Sequence, residues 1–319
     1  SKAFSKDLMK KYNIPTAAYE TFNNPEDAIK YLETAEFPIV LKADGLALGK
    51  GVIIAEDFAQ AEQAVRSMME DKVFGASGNH IVVEEFLTGP EVSVLAFTDS
   101  KTVKPMISSK DHKRAYDNDK GLNTGGMGTI APNPYYTDEI AQICMKEIFL
   151  PTIRAMVTEG RPFKGCLYFG LMITPNGPKV IEYNCRFGDP ETQVVLPLLK
   201  TDLMEIFLTV SDERLFELDI QWDKGAAACV VMASGGYPQK YQTGLPISGL
   251  DENGQCGQAT VYHAGTKKED CTYLTAGGRV LGVTAVGENL EKALSSAYDA
   301  VKQISFDGCH YRTDIGKIK

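Results

Sequence analysis

Long hydrophobic runs, an excess of basic residues and metal-type cysteine spacings are all missing from this sequence. Its apolar runs fall short of the roughly 18 residues that would span a bilayer, and no signal peptide is visible. The net charge of −9 in 319 residues argues against a broad surface for nucleic acid or anionic lipid. We therefore expect a soluble, cytoplasmic protein in which any site for a polyanion is local.

Cysteine and histidine are too scattered for a zinc site. The seven cysteines include no Cys-x-x-Cys pair, and the four histidines lie far apart. An odd number of cysteines without a recognisable framework predicts free thiols in a reducing compartment.

What the sequence does have is a succession of short strand-like and helical patterns, which predicts an α+β fold. Residues 1–110 predict small layers with mainly antiparallel strands, beginning with a helix over 1–12. Residues 108–133 lack periodicity and predict a long functional or mobile loop. A composition shift near 216–224 precedes three strands and an amphipathic helix, so we predict a mostly β subdomain over 216–319.

The densest group of functional residue types lies in 180–193. A short apolar strand ends there in Glu182 and Asn184, which are two residues apart and so point to one face. Their oxygen atoms are hard ligands, suited to Mg²⁺ or Mn²⁺ held together with substrate phosphates. Arg186 continues the same alternation, so its side chain could lie on the same face and bind an anion there. A solvated edge strand, followed by a loop with glycine and proline turn residues, is the alternative.

A glycine-rich loop between two strands is a second candidate. In residues 44–51, backbone amides could close on phosphate oxygens while Lys50 adds charge. The loop does not fit the Walker A pattern, because glycine and not Ser or Thr follows Lys50. An ordinary hairpin is the alternative. Lys42, at the end of the preceding strand, could reach a phosphate or extend to water.

Two further stretches could meet a nucleotide. Residues 84–87 end a strand, where free backbone groups can read an adenine edge, and Glu91 could accept from ribose hydroxyls. A basic run at 109–114 and a glycine-rich run at 123–128, which presents several N–H groups, have the properties of a lid over phosphates. Solvated turns and a flexible surface loop are the alternatives.

The order of these stretches resembles the ATP-grasp superfamily, in which two α+β lobes hold ATP between them. The closer resemblance is to the glycinamide ribonucleotide synthetase (phosphoribosylamine–glycine ligase) family. The runs that carry it are 42–47, 49–52, 111–114, 123–128, 184–193, 263–266, 277–281 and 314–316. Residues 184–193, Asn-Cys-Arg-Phe-Gly-Asp-Pro-Glu-Thr-Gln, are the family's signature.

The resemblance implies a reaction of purine biosynthesis. ATP, glycine and 5-phosphoribosylamine would give glycinamide ribonucleotide, ADP and phosphate through glycyl phosphate. It also implies ATP-grasp lobes over 1–215, with a smaller nucleotide-clamping lobe at about 40–110, and a C-terminal subdomain over 216–319. The family's N-terminal Rossmann-like domain has no counterpart here. In animals the synthetase is fused to later enzymes of the pathway, so the C-terminal end could continue into such a partner.

The resemblance further implies residue roles. Those assigned to ATP are Lys2, Lys42, Gly49, Lys50, Glu84, Glu85, Phe86, Leu87, Glu91 and Asn123. The lysines and the glycine loop would contact the phosphates. Residues 84–87 would contact adenine, and Glu91 would contact the ribose. The metal ligands would be Glu182 and Asn184, and the reacting groups would meet Lys113, Arg186, Asp189 and Glu191. Many ATP-grasp enzymes carry another acidic metal ligand on the preceding strand, at a position that falls near Gly170 here, so we predict a metal site with fewer protein ligands.

Two other functions stay open from the sequence. The chain could be a module that binds Mg·ATP without turnover, because the first domain is missing from it. It could also be another ATP-grasp ligase, for example one that activates bicarbonate, although residues 186–193 argue against this.

Overall fold

The computed structural model describes residues 1–45 and 51–317. The chain divides into two compact units, which are treated separately below. Unit 1 consists of Ser1–Glu91, Thr137–Phe163 and Phe169–Tyr183, and unit 2 of Val92–Tyr136, Lys164–Tyr168 and Asn184–Lys319. Of the part of the chain described, no helix is long and apolar enough to cross a membrane.

The described residues form both helices and strands. The helices are α1 (Lys2–Lys11), α2 (Pro25–Leu32), α3 (Phe58–Val65), α4 (Asp138–Cys144), α5 (Leu150–Thr158), α6 (Thr192–Val195), α7 (Leu203–Ser211) and α8 (Leu290–Val301). The shorter helical turns are Arg66–Glu70, Gly75–Gly78, Asp117–Asp119, Met145–Phe149, Leu196–Leu198 and Leu215–Glu217.

The strands are mostly four to ten residues long. They are β1 (Tyr19–Phe22), β2 (Ile39–Ala43), β3 (Val52–Ala55), β4 (Ile81–Glu85), β5 (Glu91–Thr98), β6 (Val103–Pro105), β7 (Lys110–Asp111), β8 (Arg114–Tyr116), β9 (Lys120–Asn123), β10 (Gly128–Ala131), β11 (Gly165–Thr174), β12 (Gly177–Asn184), β13 (Ala226–Ala233), β14 (Thr260–His263), β15 (Thr266–Glu269), β16 (Thr272–Thr275) and β17 (Arg279–Gly287).

Unit 1 is built on an antiparallel sheet in the order β1-β4-β2-β3. The predicted first helix is confirmed, since the Ser1 hydroxyl accepts from the Phe4 N–H at 3.0 Å and caps α1. The predicted pair of strands around the glycine loop is also confirmed as β2 and β3. Apolar side chains of α2, α3 and the sheet form the core, including Ala28, Leu32, Leu41, Val65, Met68, Ile81 and Val83.

The spacing of residues 135–160 predicts a helix that is capped by Thr137 and interrupted at Pro151, and the structure forms it with a change of geometry inside it. Thr137 caps α4, and a π-helical turn at Met145–Phe149 separates α4 from α5. Pro151 follows the π-helical turn inside continuous helical backbone, so the wider turn lies where proline has no N–H to donate to the preceding turn.

Unit 2 is built on an antiparallel five-stranded sheet in the order β14-β17-β13-β10-β7. Every residue of β13 is buried, as expected for an apolar strand inside a sheet. The amphipathic helix α8 covers one face of this sheet, and its buried residues Ala293, Ala297 and Val301 join Val230 and Val283 in one core.

The prediction of a long loop over 108–133 is wrong. That stretch contains β7 to β10, and β10 is a fully buried strand between β13 and β7. Strands of two to four residues are too short to show a periodic pattern, which explains the error. The sheet expected from residues 216–319 therefore also includes strands from 110–131.

Candidate active site

Glu84 lies at the centre of a buried charge cluster in unit 1. It stands on β4, is 4% exposed, and receives Lys6 Nζ and Lys42 Nζ on the same oxygen, Oε2, at 2.9 Å each. Its other oxygen, Oε1, is buried and has no hydrogen-bond partner among residues 1–45 and 51–317. We call Lys6, Lys42 and Glu84 the Glu84 cluster. With two ammonium groups against one carboxylate, it carries surplus positive charge and favours an approaching anion.

Lys6 was not predicted from the sequence. It is 2% exposed, and burial lowers its pKa to about 8 although Glu84 opposes the shift. Its Nζ also donates to Thr16 Oγ1 at 2.8 Å. A signal was present, because Lys2, Lys6 and the buried Met9 recur on one face of α1 at intervals of four and three residues.

Lys42 and Lys2, which the resemblance assigns to ATP phosphates, both donate to backbone carbonyls of unit 1. Lys42 Nζ donates to the carbonyl of Ile181, the residue before Glu182, at 3.3 Å. Lys2 Nζ donates to the carbonyls of Ala43 at 2.7 Å and Gly45 at 3.1 Å. Burial lowers the pKa of Lys2, and the carboxylate of Glu182 acts against this shift. Unit 1 therefore brings the two lysines and Glu182 into one region.

The segment predicted to bind adenine, 84–87, begins inside strand β4. β4 has strands on both sides, so its backbone is engaged as far as Glu85, whose N–H donates to Ala18 O at 2.9 Å. Only Phe86 and Leu87 follow the end of the strand, and both are half-buried. Glu91 begins β5 with an exposed side chain. Gly49 and Lys50 fall outside the described residues.

The predicted metal ligands, Glu182 and Asn184, both stand on β12 and are half-buried. The described residues contain no group of three or more His, Cys, Asp or Glu side chains suited to a metal. A carboxylate and an amide on one strand fit a hard cation whose remaining ligands are phosphate oxygens and water. The donor set thus fits Mg²⁺ or Mn²⁺ bound together with a nucleotide.

In unit 2, all three oxygen atoms of Asp189, a residue of the signature run, accept hydrogen bonds. Arg279 Nη2 donates to Asp189 Oδ2 at 3.0 Å, and Arg279 Nη1 donates to the Asp189 carbonyl at 2.9 Å. Gln193 Nε2 donates to Asp189 Oδ1 at 2.8 Å. Arg186 differs, since its side chain is exposed and Nη1 donates to the neighbouring Phe187 carbonyl at 2.7 Å. Arg186 is therefore accessible to a ligand, while Asp189 is held.

Glu191, by contrast, is buried. It is 4% exposed, and its Oε1 accepts from the Ser93 hydroxyl at 3.2 Å. The Ser93 Oγ in turn lies 2.8 Å from Tyr168 Oη. This network holds the Glu191 side chain, and with it the end of the signature run, inside unit 2.

The glycine-rich turn at 124–127 does not present its amides, contrary to the prediction. Thr124 N donates to Lys113 O at 2.8 Å, and Gly125 N to Tyr237 Oη at 3.1 Å. Gly126 N donates to Thr124 Oγ1 at 3.0 Å, and Met127 N to His112 O at 2.8 Å. All four consecutive N–H groups are thus used within unit 2. Asn123, just before the turn, is exposed at the end of β9.

Residues 111–114 of the basic run accept hydrogen bonds from the C-terminal segment. His112 is 5% exposed, and burial lowers its pKa to about 4, so the ring is neutral at pH 7. Its Nδ1 lies 3.0 Å from Gly128 O, and its Nε2 accepts from Gly316 N at 3.2 Å. The neighbouring Lys113 is half-buried.

A buried arginine completes this attachment. Arg312 is 1% exposed and donates to both carboxylate oxygens of Asp314, at 2.7 and 2.9 Å. It also donates to Arg114 O at 3.2 Å and pairs with Asp119 at 3.0 Å. These contacts join residues almost 200 positions apart, so the local sequence offered no signal for them.

Comparison with known proteins gives one consistent family. Residues 1–192 match the family described as "Phosphoribosylglycinamide synthetase, ATP-grasp (A) domain", and residues 227–318 match its C domain. A relative from Clostridium acetobutylicum, named phosphoribosylamine–glycine ligase, is 50% identical over 319 residues. That match covers 100% of this chain and 76% of the relative.

Solved structures agree with the sequence matches. A crystal structure of phosphoribosylamine–glycine ligase from Thermotoga maritima is similar with a TM-score of 0.88 and 33% identity, covering 99% of this chain and 78% of that one. The biotin carboxylase domain of 2-oxoglutarate carboxylase from Hydrogenobacter thermophilus, in complex with MgADP, ADP and bicarbonate, has a TM-score of 0.72. Its identity is 16%, over 96% of this chain and 66% of that one, so this likeness concerns the fold alone.

Proposed function

The chain belongs to the phosphoribosylglycinamide synthetase family, and from this premise we infer that it joins glycine to 5-phosphoribosylamine with ATP as the energy source. It is an ATP-dependent carboxylate–amine ligase of purine biosynthesis with an ATP-grasp fold and a sheet-rich C-terminal region, as the sequence predicted. The observation that carries this conclusion is the match of both family domains along one chain. It disfavours the module without turnover and the bicarbonate-activating ligase.

The chemistry proceeds in two displacements. The carboxylate of glycine is a poor electrophile, so one of its oxygens first attacks the γ-phosphorus of ATP and ADP leaves, which gives glycyl phosphate. The amine of phosphoribosylamine then attacks the acyl carbon, phosphate leaves, and the amine loses a proton as the amide forms. The protein contributes mainly by positioning the reactants and neutralising charge.

We assign the ATP phosphates to Lys2 and Lys42. The surplus positive charge of the Glu84 cluster supports this assignment, and Glu84 keeps Lys42 in place. Phe86 and Leu87 would read adenine, and Glu91 the ribose. The other residues proposed for the ATP site are Gly49, Lys50, Glu84, Glu85 and Asn123.

A divalent cation would be held by Glu182 and Asn184 and, when bound, would neutralise charge on the phosphates. A carboxylate–amide pair on one strand supports Mg²⁺ or Mn²⁺ here. Glu182 raises the pKa of Lys2 against the effect of burial, so the two charges lie close together. This supports placing the cation beside the lysines assigned to the phosphates.

The reacting groups are assigned to unit 2. The exposed guanidinium of Arg186 is suited to the glycine carboxylate or to the acyl phosphate, and Lys113 would add charge. Asp189 would accept from an amine, because both of its carboxylate oxygens already have fixed directions. We propose that Glu191, which is buried and bonded to Ser93, fixes the position of the signature run from within it.

We further propose a cytoplasmic location, which the seven free cysteines support. The substrates are small molecules, and no nucleic acid or membrane takes part. The domain division into 1–215, with its smaller lobe at 40–110, and 216–319 stays a prediction, as does fusion to other enzymes of the pathway.

Product analysis of the full-length enzyme tests the proposed function. ADP formation should need both glycine and phosphoribosylamine, and mass spectrometry should detect glycinamide ribonucleotide in equal amount. Bicarbonate in place of glycine should give no ADP. Bicarbonate-dependent ADP formation without a response to glycine would contradict the assignment.

A further inference from the structure

Arg279 has no role in the function described so far, although residues 277–281 belong to the family resemblance. It is the first residue of β17 and lies in unit 2. We propose that Arg279 is a positioning residue that fixes Asp189 and the turn at 124–127 in one arrangement for the amide-forming step. This inference rests on the proposed function, since it concerns the same reaction.

The guanidinium joins two segments that are more than 60 residues apart. Its Nη1 donates to Gly125 O at 2.8 Å and lies 3.5 Å from Gly126 O. The same nitrogen donates to the Asp189 carbonyl at 2.9 Å, while Nη2 donates to Asp189 Oδ2 at 3.0 Å. Only a planar fork with several donors can serve these acceptors at once, so lysine is a poor substitute.

The turn is shaped to accept this arginine. A Cβ on Gly125 would lie 3.1 Å from Arg279 Cζ, so even a methyl group would crowd the guanidinium. Gly126 has φ +116, and a Cβ there would lie 2.4 Å from Pro190 Cδ. Both glycines therefore allow the backbone to approach Arg279 and the signature run closely.

A second side chain holds the same turn from the opposite direction. The Gly125 N–H donates to Tyr237 Oη at 3.1 Å, while the Gly125 carbonyl accepts from Arg279. Tyr237 packs on the backbone just before Arg279, because a Cβ on Gly278 would lie 2.3 Å from Tyr237 Cδ2. Tyr237 and Arg279 thus form one attachment of the turn to the C-terminal sheet.

This attachment determines where the Asp189 carboxylate points. With Gln193 on Oδ1 and Arg279 on Oδ2, the carboxylate has a single orientation. Without Arg279, Asp189 would keep one partner and the turn would lose its carbonyl contacts. The described partners of Arg279 lie in unit 2, whereas the lysines assigned to ATP lie in unit 1. Loss of Arg279 should therefore slow amide formation and leave ATP binding intact.

The test uses Arg279→Gln in the full-length enzyme, with Arg279→Lys as the conservative variant. For Arg279→Gln we expect kcat to fall at least tenfold, with the KM for ATP within twofold of wild type. Glycine-dependent positional isotope exchange in ATP, which reports the first displacement, should stay within threefold. Arg279→Lys should recover part of the lost kcat. Arg214→Gln is the matched control, because Arg214 is a half-exposed arginine of unit 2 paired with Asp212 and Glu217.

A Tyr237→Phe variant keeps the test decisive if Arg279→Gln folds poorly. It removes the acceptor for Gly125 N with little change of volume, and kcat should fall about threefold with an unchanged KM for ATP. The inference is overturned if both variants turn over like wild type, or if activity per folded molecule is unchanged. It is also overturned if isotope exchange falls as far as kcat. Failure of the wild-type enzyme to form ADP with glycine would instead refute the proposed function.

Discussion

Replacing Lys6 by methionine removes one of the two ammonium groups that share Glu84 Oε2, with little change in side-chain volume. Burial lowers the pKa of Lys6 from its ordinary value of 10.5 to about 8, against the pull of Glu84. Lys42 and Glu85 are the other charged groups that act on it. The lowered pKa means that folding disfavours the charged form of Lys6, even with its carboxylate partner.

The sign of the pH dependence follows from this shift. Between pH 8 and 10.5 the unfolded chain keeps a proton on Lys6 that the folded chain has released. The free energy of unfolding therefore rises with pH across this window, by up to about 3 kcal/mol from this group alone. Lys6→Met lacks this gain, so wild type should become more stable relative to the variant as pH rises.

Thermal unfolding of both proteins between pH 7 and 10.5 measures the effect. At roughly 2 °C per kcal/mol for a chain of this size, the difference in Tm should change by about 6 °C in favour of wild type. Lys10→Met is the control, since Lys10 is an exposed lysine of the same helix and, like Lys6, lies over the Tyr19 ring. Parallel curves for wild type and Lys6→Met would refute the assignment of a buried lysine with a lowered pKa.

Three further predictions follow from other buried or metal-directed groups. With its pKa lowered to about 4, His112 stays neutral in the folded chain, whereas the unfolded chain binds a proton below pH 6.5. Between pH 6.5 and 4, the free energy of unfolding of wild type should therefore fall by up to about 3 kcal/mol relative to that of His112→Asn. Thermal unfolding should show this as a Tm of wild type that falls relative to that of the variant. Arg312→Met leaves the buried Asp314 without its ion-pair partner and should cost about 3–5 kcal/mol in thermal unfolding. The exposed control Arg214→Met should cost less than about 1 kcal/mol, and equal losses would count against the burial argument. Glu182→Gln should abolish ligase turnover with an unchanged Tm, and near-normal kcat would rule out the metal assignment.

Helix starts, and charged residues within or beside apolar strands, could be predicted from local sequence. Ser1 and Thr137 mark helix starts by their side-chain chemistry, and the structure confirms both caps. Lys42 lies near the end of an apolar strand with its side chain buried, and Glu182 lies near the end of another strand. Such residues stand out because a charge beside an apolar run needs a partner or a ligand.

The parts that the sequence did not reveal depend on distant partners. The turn at 124–127 looked like a phosphate-binding glycine run, yet Gly125 N–H is taken by Tyr237, which lies 112 positions along the chain. The role of Arg279 became visible only in the structure, where its guanidinium donates to Asp189. Strand β10 is too short to show periodicity and forms because β13 lies next to it. Such tertiary hydrogen bonds leave no periodic trace in a single sequence.

Positional isotope exchange tests the central claim, that the carboxylate of glycine attacks the γ-phosphate of ATP. ATP labelled with ¹⁸O in the β-nonbridging positions is incubated with the full-length enzyme, a divalent cation and glycine. Reversible formation of glycyl phosphate predicts movement of the label into the β,γ-bridge with glycine alone, and none when glycine is omitted or replaced by bicarbonate. Absence of exchange with glycine in an enzyme that completes the full reaction would contradict the account.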